Sequence, residues 1–278
     1  MTFSSSWSQQ KKLNVVVIGA HPDDADISSG GTAIKLTKQG HNVLFVSLTN
    51  GDAGHFNEGG GHLAKIRRAE AQEAGRRFGV TYKVLDYHDG ELMPALDVRL
   101  QVIRIIREWN ADIVIGPRPY DYHPDHRSTA LVLQDAAYLV VVPNIASDTP
   151  ALKENPIFLY TQDRFQKPYP FIPDIAVDIS DVFPEKIHAM ASHKSQYFEW
   201  LPWLDEKLES VPEKDLEREE WLQVYRKRPI TDTIRKSLIK WYGEENAMKI
   251  TNAEAFEICE YGRQPSQDEI KELFTILK

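Results

Sequence analysis

The sequence predicts a Rossmann-like α/β fold with an open, mostly parallel sheet, and three observations support that class. Short β-branched runs alternate with helix-like segments from Leu13 to about Ser180. Apolar residues in the intervening segments recur at three- and four-residue spacing, the period of a helix with one buried face. Glycines stand where those segments should end. Regular βα alternation joins parallel strands by right-handed crossovers and places helices on both faces of one sheet.

Each element follows in turn. "LNVVVIGA" (13–20) reads as a buried strand, and "GGTAIKLTKQG" (30–40) as a helix closed by Gly40. "NVLFVSLT" (42–49) is a second strand, and "HLAKIRRAEAQEAGRRFG" (62–79) a second helix, closed by Gly79. "YKVLDY" (82–87), "LDVRLQVIRIIREWN" (96–110) and "DIVIGP" (112–117) continue the alternation as strand, helix and strand. "PIFLY" (156–160) and "DIAVDIS" (174–180) add two strands, and "VFPEKIHAMASHKSQ" (182–196) a helix. From about Tyr197 the character changes to dense charge, as in "PEKDLEREE", with four of the six tryptophans: Trp200, Trp203, Trp221 and Trp241. The expected organisation is a domain over residues 1–196. Residues 197–278 form a mainly helical extension packed on the same body.

Composition narrows the function classes. A formal charge of −8 without a compact basic cluster disfavours nucleic-acid and anionic-membrane partners. The single cysteine, Cys259, excludes an intrachain disulfide and a thiolate metal site, and fits a reducing compartment. "MTFSSSWSQQKK" lacks the apolar run of a signal peptide. "AAYLVVVP" falls far short of the roughly 20 residues that cross a bilayer. The expectation is a soluble, cytoplasmic protein without membrane insertion that acts on a small molecule.

The chemistry concentrates in two loops. "HPDD" (21–24) follows the first strand, and "RPYDYHPDHRST" (118–129) follows the fourth. In an open parallel sheet these strand ends flank the point where strand order reverses, and ligands bind there. Either motif alone reads more simply as an ordinary turn, with an aspartate of the first capping the following helix. Two loops each carrying His and Asp, predicted to converge, point instead to a shared ion. Imidazole and carboxylate donors without thiolates suit a zinc-type catalytic site, with three protein ligands and a fourth position for water. His21 and Asp24 can turn to one ion, and a histidine of the second loop completes the set. Asp23, the other loop histidine and Asp125 are then available for proton transfer.

"AHPDDADISSGGT" followed by "RPYDYHPDH" resembles the LmbE-like, or PIG-L, family of metal-dependent N-deacetylases. The resemblance continues through "LTNGDAG", "RRAEAQEAGRRFGV" and "DYHDGEL", and resumes at "FIPDIAVDISDVFPEKIHAMASHKSQ", covering about residues 13–197. It implies that His21, Asp24 and His126 bind zinc, another divalent transition metal being an alternative. It makes Asp23 the general base and His123 the residue that assists at the tetrahedral intermediate, protonated, with Asp125 orienting and charging its imidazole. It assigns Arg67 to the sugar hydroxyls of the substrate. The implied reaction removes an N-acetyl group from an N-acetylglucosamine-type compound. Family members often carry Glu directly after the paired aspartates, or two residues after them; Ala25 and Asp26 stand there in this chain.

Other features carry weaker expectations. The glycine-rich "TNGDAGHFNEGGGH" (49–62) reads as a mobile rim, with Asp52, His55 or His62 at the substrate, or as a plain surface loop. Glu70 is expected to pair with Arg67 at helical spacing. His188 and His193, five residues apart, do not share a helix face, and the resemblance places His193 near the pocket edge. The late tryptophans read as packing of an appended helix or as a subunit interface of a homo-oligomer, ahead of a sugar platform. Alternatives are an amidase acting on a sugar-linked thiol conjugate or another acylated amine, and a metal-free carbohydrate-binding module. A nucleotide site on "SSGGT" at a helix start lacks the spaced glycines of a dinucleotide fingerprint.

Overall fold

A computed structural model describes residues 12–275, so most of the N-terminal segment read for a signal peptide lies outside the described residues. Five parallel strands alternate with helices: β1 (Asn14–Gly19), α1 (Asp24–Lys38), β2 (Asn42–Thr49), α2 (Gly60–Phe78), β3 (Thr81–Tyr87), α3 (Leu96–Glu108), β4 (Ile113–Gly116), α4 (Pro124–Leu139) and β5 (Ile157–Thr161). After them come β6 (Ile175–Asp178) and α5 (Phe183–Met190). The sheet order is β3-β2-β1-β4-β5-β7-β6, where β7 is Ala253–Ile258. Strand order reverses between β1 and β4, which pair in parallel with Val16 opposite Val114. The fold class is the one expected.

The sheet forms because its strands are apolar on both faces. Val15 and Val17 join one core layer with Ala33, Phe78 and Ile187, while Val16 and Ile18 join the opposite layer with Val102, Ile106 and Leu133. Each such side chain, fully buried, contributes roughly 1.5–3 kcal/mol. Among the described residues no helix is long and apolar enough to cross a membrane.

Three elements depart from the sequence reading. First, α1 begins at Asp24, so the "SSGG" run lies inside the helix instead of preceding it. Packing overrides propensity there: a Cβ on Gly31 would stand 2.7 Å from the Ile179 side chain. The backbone amides of Gly31 and Thr32 donate to the Glu254 carboxylate at 2.9 and 2.7 Å, which removes the nucleotide reading of this motif. Second, α5 stops at Met190, and a separate π-helical turn covers Gln196–Trp200. Third, the extension contains α6 (Leu201–Leu204), α7 (Asp215–Tyr225), α8 (Asp232–Tyr242), α9 (Glu244–Lys249) and α10 (Gln267–Thr275), and also the strand β7. That strand enters the sheet between β5 and β6, antiparallel to both, with Phe256 opposite Thr161 and Ile175. "AEAFEI" alternates only weakly, and its pairing partners are distant in sequence. Of the late tryptophans, Trp221 and Trp241 pack against the core.

Candidate metal centre and active site

The topology brings the two loops together at the reversal point. The His21 Nδ1 lies 3.2 Å from His126 Nε2 and 3.6 Å from Asp24 Oδ2, and His126 Nε2 lies 3.5 Å from the same oxygen. An ion held tetrahedrally at about 2.0–2.2 Å from each donor needs donors roughly 3.3–3.6 Å apart, so this triangle fits one zinc-sized cation. His123 also offers a nitrogen within 4.8 Å of those of His21 and His126. Asp24 is held by the amides of Ala20 and His21, which donate to its Oδ2 at 2.8 Å each. Its close approach requires Gly19, since a Cβ there would lie 2.5 Å from the Asp24 Cβ.

Both histidines are oriented from behind. His21 Nε2 faces Asp89 Oδ1 at 3.0 Å and Asp125 Oδ2 at 3.2 Å, while His126 Nδ1 faces Asp121 Oδ1 at 3.0 Å. A carboxylate on the second ring nitrogen fixes the tautomer that leaves the first nitrogen's lone pair for an ion. Burial works against a proton on His126, yet Asp24 and Asp121 reverse this and raise its pKa to about 10. His21 is likewise held well above its ordinary range, Asp125, Asp24 and Asp89 outweighing burial. The cluster therefore attracts positive charge.

Asp23 occupies the N-cap position of α1 without capping it. It is 3% exposed, and Gln196 Nε2 donates to its Oδ2 at 3.2 Å. Burial, then the neighbouring Asp24, pushes its carboxyl above the usual range, partly offset by His193 and Arg67. A carboxyl raised in this way is a stronger proton acceptor than an ordinary aspartate.

His123 differs from the expectation. The Asp125 carboxylate does not pair with it; this carboxylate faces His21 and accepts from the amides of Gly90 and Leu92 at 2.7 and 3.1 Å. What reaches His123 is the Asp125 backbone N–H, which donates to Nδ1 at 3.2 Å. Burial, with the charges of His21 and His126, lowers the His123 pKa. With Nδ1 accepting that amide and the pKa lowered, the structure favours a ring protonated at Nε2 alone over the expected imidazolium. The reason is positional: Asp125, second residue of α4, is already committed to the 90–92 turn.

Arg67 is 1% exposed and donates from a terminal nitrogen to the Gly54 carbonyl, while its Nε has no protein partner. The Glu70 carboxylate does not bind it; Glu70 accepts from the Ser195 amide and hydroxyl at 2.9 and 2.6 Å. His193 is fully buried and pairs with Asp26 at 2.9 Å, and Tyr82 donates to the other Asp26 oxygen at 2.8 Å. The glycine-rich loop is pinned: Asp52 binds His88 Nδ1 at 2.6 Å and accepts from the Asp89 amide at 3.0 Å. His55 meets Glu199 at 3.0 Å, and His62 is exposed beside Glu58. Asp89, Asp121 and Gln196 were missed in the sequence. Asp121 lies two residues before His123, and Asp89 within the "DYHDGEL" stretch; nothing local marked Gln196.

Comparison with known proteins identifies the family and the fold. A family model described as PIG-L, GlcNAc-PI de-N-acetylase, matches residues 16–137. The diacetylchitobiose deacetylase of Thermococcus kodakarensis is 34% identical over 207 residues, covering 68% of this chain and 74% of that protein. The structure of N,N'-diacetylchitobiose deacetylase from Pyrococcus horikoshii, complexed with its inhibitor MPG, superposes with a TM-score of 0.66 at 28% identity, over 91% of this chain and 87% of that one. The 4-carboxy-2-hydroxymuconate hydratase GalB of Pseudomonas putida KT2440 superposes at 0.67 with 18% identity, over 92% and 99% of the two chains, a likeness of fold alone.

Proposed function

Because this chain belongs to the PIG-L family, we propose that it is a metal-dependent hydrolase that removes the N-acetyl group from an N-acetylglucosamine-type sugar. The relative in Thermococcus is by name a deacetylase of such a compound. The observation that carries the reading is the donor triangle of His21 Nδ1, Asp24 Oδ2 and His126 Nε2, with the buried carboxyl of Asp23 beside it.

Those three residues would hold zinc or another divalent transition metal. When bound, the ion supplies Lewis acidity and lowers the pKa of water towards roughly 7. Asp23 takes the proton of the attacking water, with Gln196 holding the carboxylate in place. His123 presents its Nε2–H to the acetamide oxygen, where negative charge develops. The Asp125 amide fixes that tautomer, so the donor is preorganised without needing a charged ring. The proton held by Asp23 then passes to the departing nitrogen as the C–N bond breaks. Water and the acetamide yield acetate and a free amine. Arg67, on α2, holds the sugar hydroxyls of the substrate.

The test is acetate release from a panel of N-acetylated amino sugars, measured after chelation and again after zinc is returned. Release that falls on chelation and recovers with zinc is the expected result. Absence of acetate from every sugar would remove the reading.

A further inference from the structure

A largely buried segment, residues 192–197, faces the start of α1, and the two meet through a pair of matched contacts. Asp23 stands just before α1, and Asp26 lies three residues further on. Across from them, His193 and Gln196 are also three residues apart, and they pair in the opposite order. Gln196 Nε2 donates to Asp23 Oδ2 at 3.2 Å, and His193 Nε2 meets Asp26 Oδ1 at 2.9 Å. The His193 carbonyl closes the turn between the two contacts, accepting the amides of Gln196 and Tyr197 at 3.1 and 2.9 Å. The position of one contact therefore sets the position of the other.

The two contacts differ in strength. His193 and Asp26 are both 0% exposed, and Tyr82 of β3 steadies the second Asp26 oxygen at 2.8 Å. A bond to a carboxylate in a site that water does not reach is short and strong. Gln196 holds Asp23 by one long amide bond, and its Oε1 has no protein partner. The buried hydroxyls of Ser192 and Tyr197 also lack protein partners. Among the described residues, the buried polar side chains of this segment reach the rest of the fold only at Asp23, Asp26 and Glu70. The Glu70 contact ties the segment to α2. Of the other two, the His193 contact is the firm link to the helix that starts beside the general base.

We infer that His193 is a positioning residue for the proposed hydrolysis: through Asp26 it locks the turn against α1, so that Gln196 keeps the Asp23 carboxylate in place. The inference rests on the proposed deacetylase activity and adds a residue that touches neither the substrate nor the metal ligands. A buried polar pair adds little net stability over an apolar replacement, yet it selects one arrangement, because any other strands a partner without its bond. That selection matters beside a general base, where a misplacement of about 1 Å costs on the order of 100-fold in rate.

The experiment measures acetate release from the best N-acetylated sugar of the panel, with zinc content, for His193→Phe, His193→Gln, Gln196→Ala and the double variant His193→Phe/Gln196→Ala. His193→Phe should lower kcat by about 10- to 100-fold with KM held within about 2-fold and zinc retained. His193→Gln, whose Nε2 can donate to the same carboxylate, should recover most of the rate. In the Gln196→Ala background His193→Phe should cost less than about 3-fold more, because the group through which it acts is gone. Additive losses, a loss carried by KM, or a glutamine variant no better than phenylalanine would overturn the inference. If His193→Phe does not fold because Asp26 is stranded, His193→Leu/Asp26→Leu removes both partners and takes its place in the cycle with the same expected losses. Absence of acetate from every sugar with the wild type would instead defeat the deacetylase reading. The positioning is then decided without turnover, in 1H–15N spectra where the Gln196 side-chain amide is identified by its loss in Gln196→Ala. That signal should shift in His193→Phe and return towards its wild-type place in His193→Gln; an unmoved signal would overturn the inference.

Discussion

Replacing Glu254 by Ala should destabilise the whole fold although the residue lies far along the chain from the catalytic loops. Glu254 is 4% exposed on β7, and its carboxylate accepts from Lys186 Nζ at 2.6 Å and from two amides in the middle of α1. Lys186 in turn donates to the Ile27 carbonyl at 2.8 Å. Truncating one partner of a buried pair leaves the other charge uncompensated and costs roughly 3–5 kcal/mol. At about 2–4 °C per kcal/mol for a chain of this size, the melting temperature should fall by about 10 °C. Urea unfolding followed by circular dichroism gives the free energy directly. Burial already holds the Lys186 pKa below its ordinary value, and Glu254 opposes that shift. Without Glu254 the folded-state pKa drops further, so the unfolded state binds more protons over a wider window below the ordinary lysine pKa. Stability then rises with pH through that window, and the deficit of the variant shrinks as pH approaches the ordinary lysine pKa. A loss under about 1 kcal/mol, or a deficit that ignores pH, would refute the buried-pair argument. The double variant Lys186→Met/Glu254→Leu should recover most of the loss.

Four further outcomes can be checked. Asp23→Ala should retain metal by elemental analysis and lose turnover by about 100- to 10,000-fold, the usual contribution of a general base; loss of metal as well would mean that the roles of Asp23 and Asp24 are exchanged. Asp121→Ala should weaken zinc affinity by roughly 10- to 100-fold in a calorimetric titration, because it frees the His126 ring. Gly31→Ala should destabilise by about 1–3 kcal/mol despite alanine's better helix propensity, since its methyl group meets Ile179; a neutral or stabilised melt would contradict the close packing. His41 accepts the Leu13 amide at Nδ1, and burial, followed by Lys12, lowers its pKa. The neutral ring is therefore favoured in the folded state, and stability should decline as pH falls below the ordinary histidine pKa. In His41→Asn, whose Oδ1 can accept the same amide, that decline should be smaller.

The sequence by itself determined the βα alternation and, through it, the meeting of "HPDD" with "HPDH". Right-handed crossovers leave the ends of β1 and β4 adjacent wherever strand order reverses, so local periodicity suffices to bring His21 and Asp24 to the second loop, whereas the choice of His126 over His123 rested on the family resemblance. What only the tertiary structure decided depends on contacts with no local signature. Glu254 reaches α1 from more than two hundred residues away, β7 enters the sheet through a weakly alternating segment, and Gln196 meets Asp23 from a turn beyond the expected helix. The Asp125 carboxylate, expected at His123, is likewise claimed instead by the 90–92 turn and His21. Periodicity reports which face of an element is buried. Which polar atom satisfies which buried partner is settled only when the layers close, because each such bond depends on the relative placement of two elements and not on either alone.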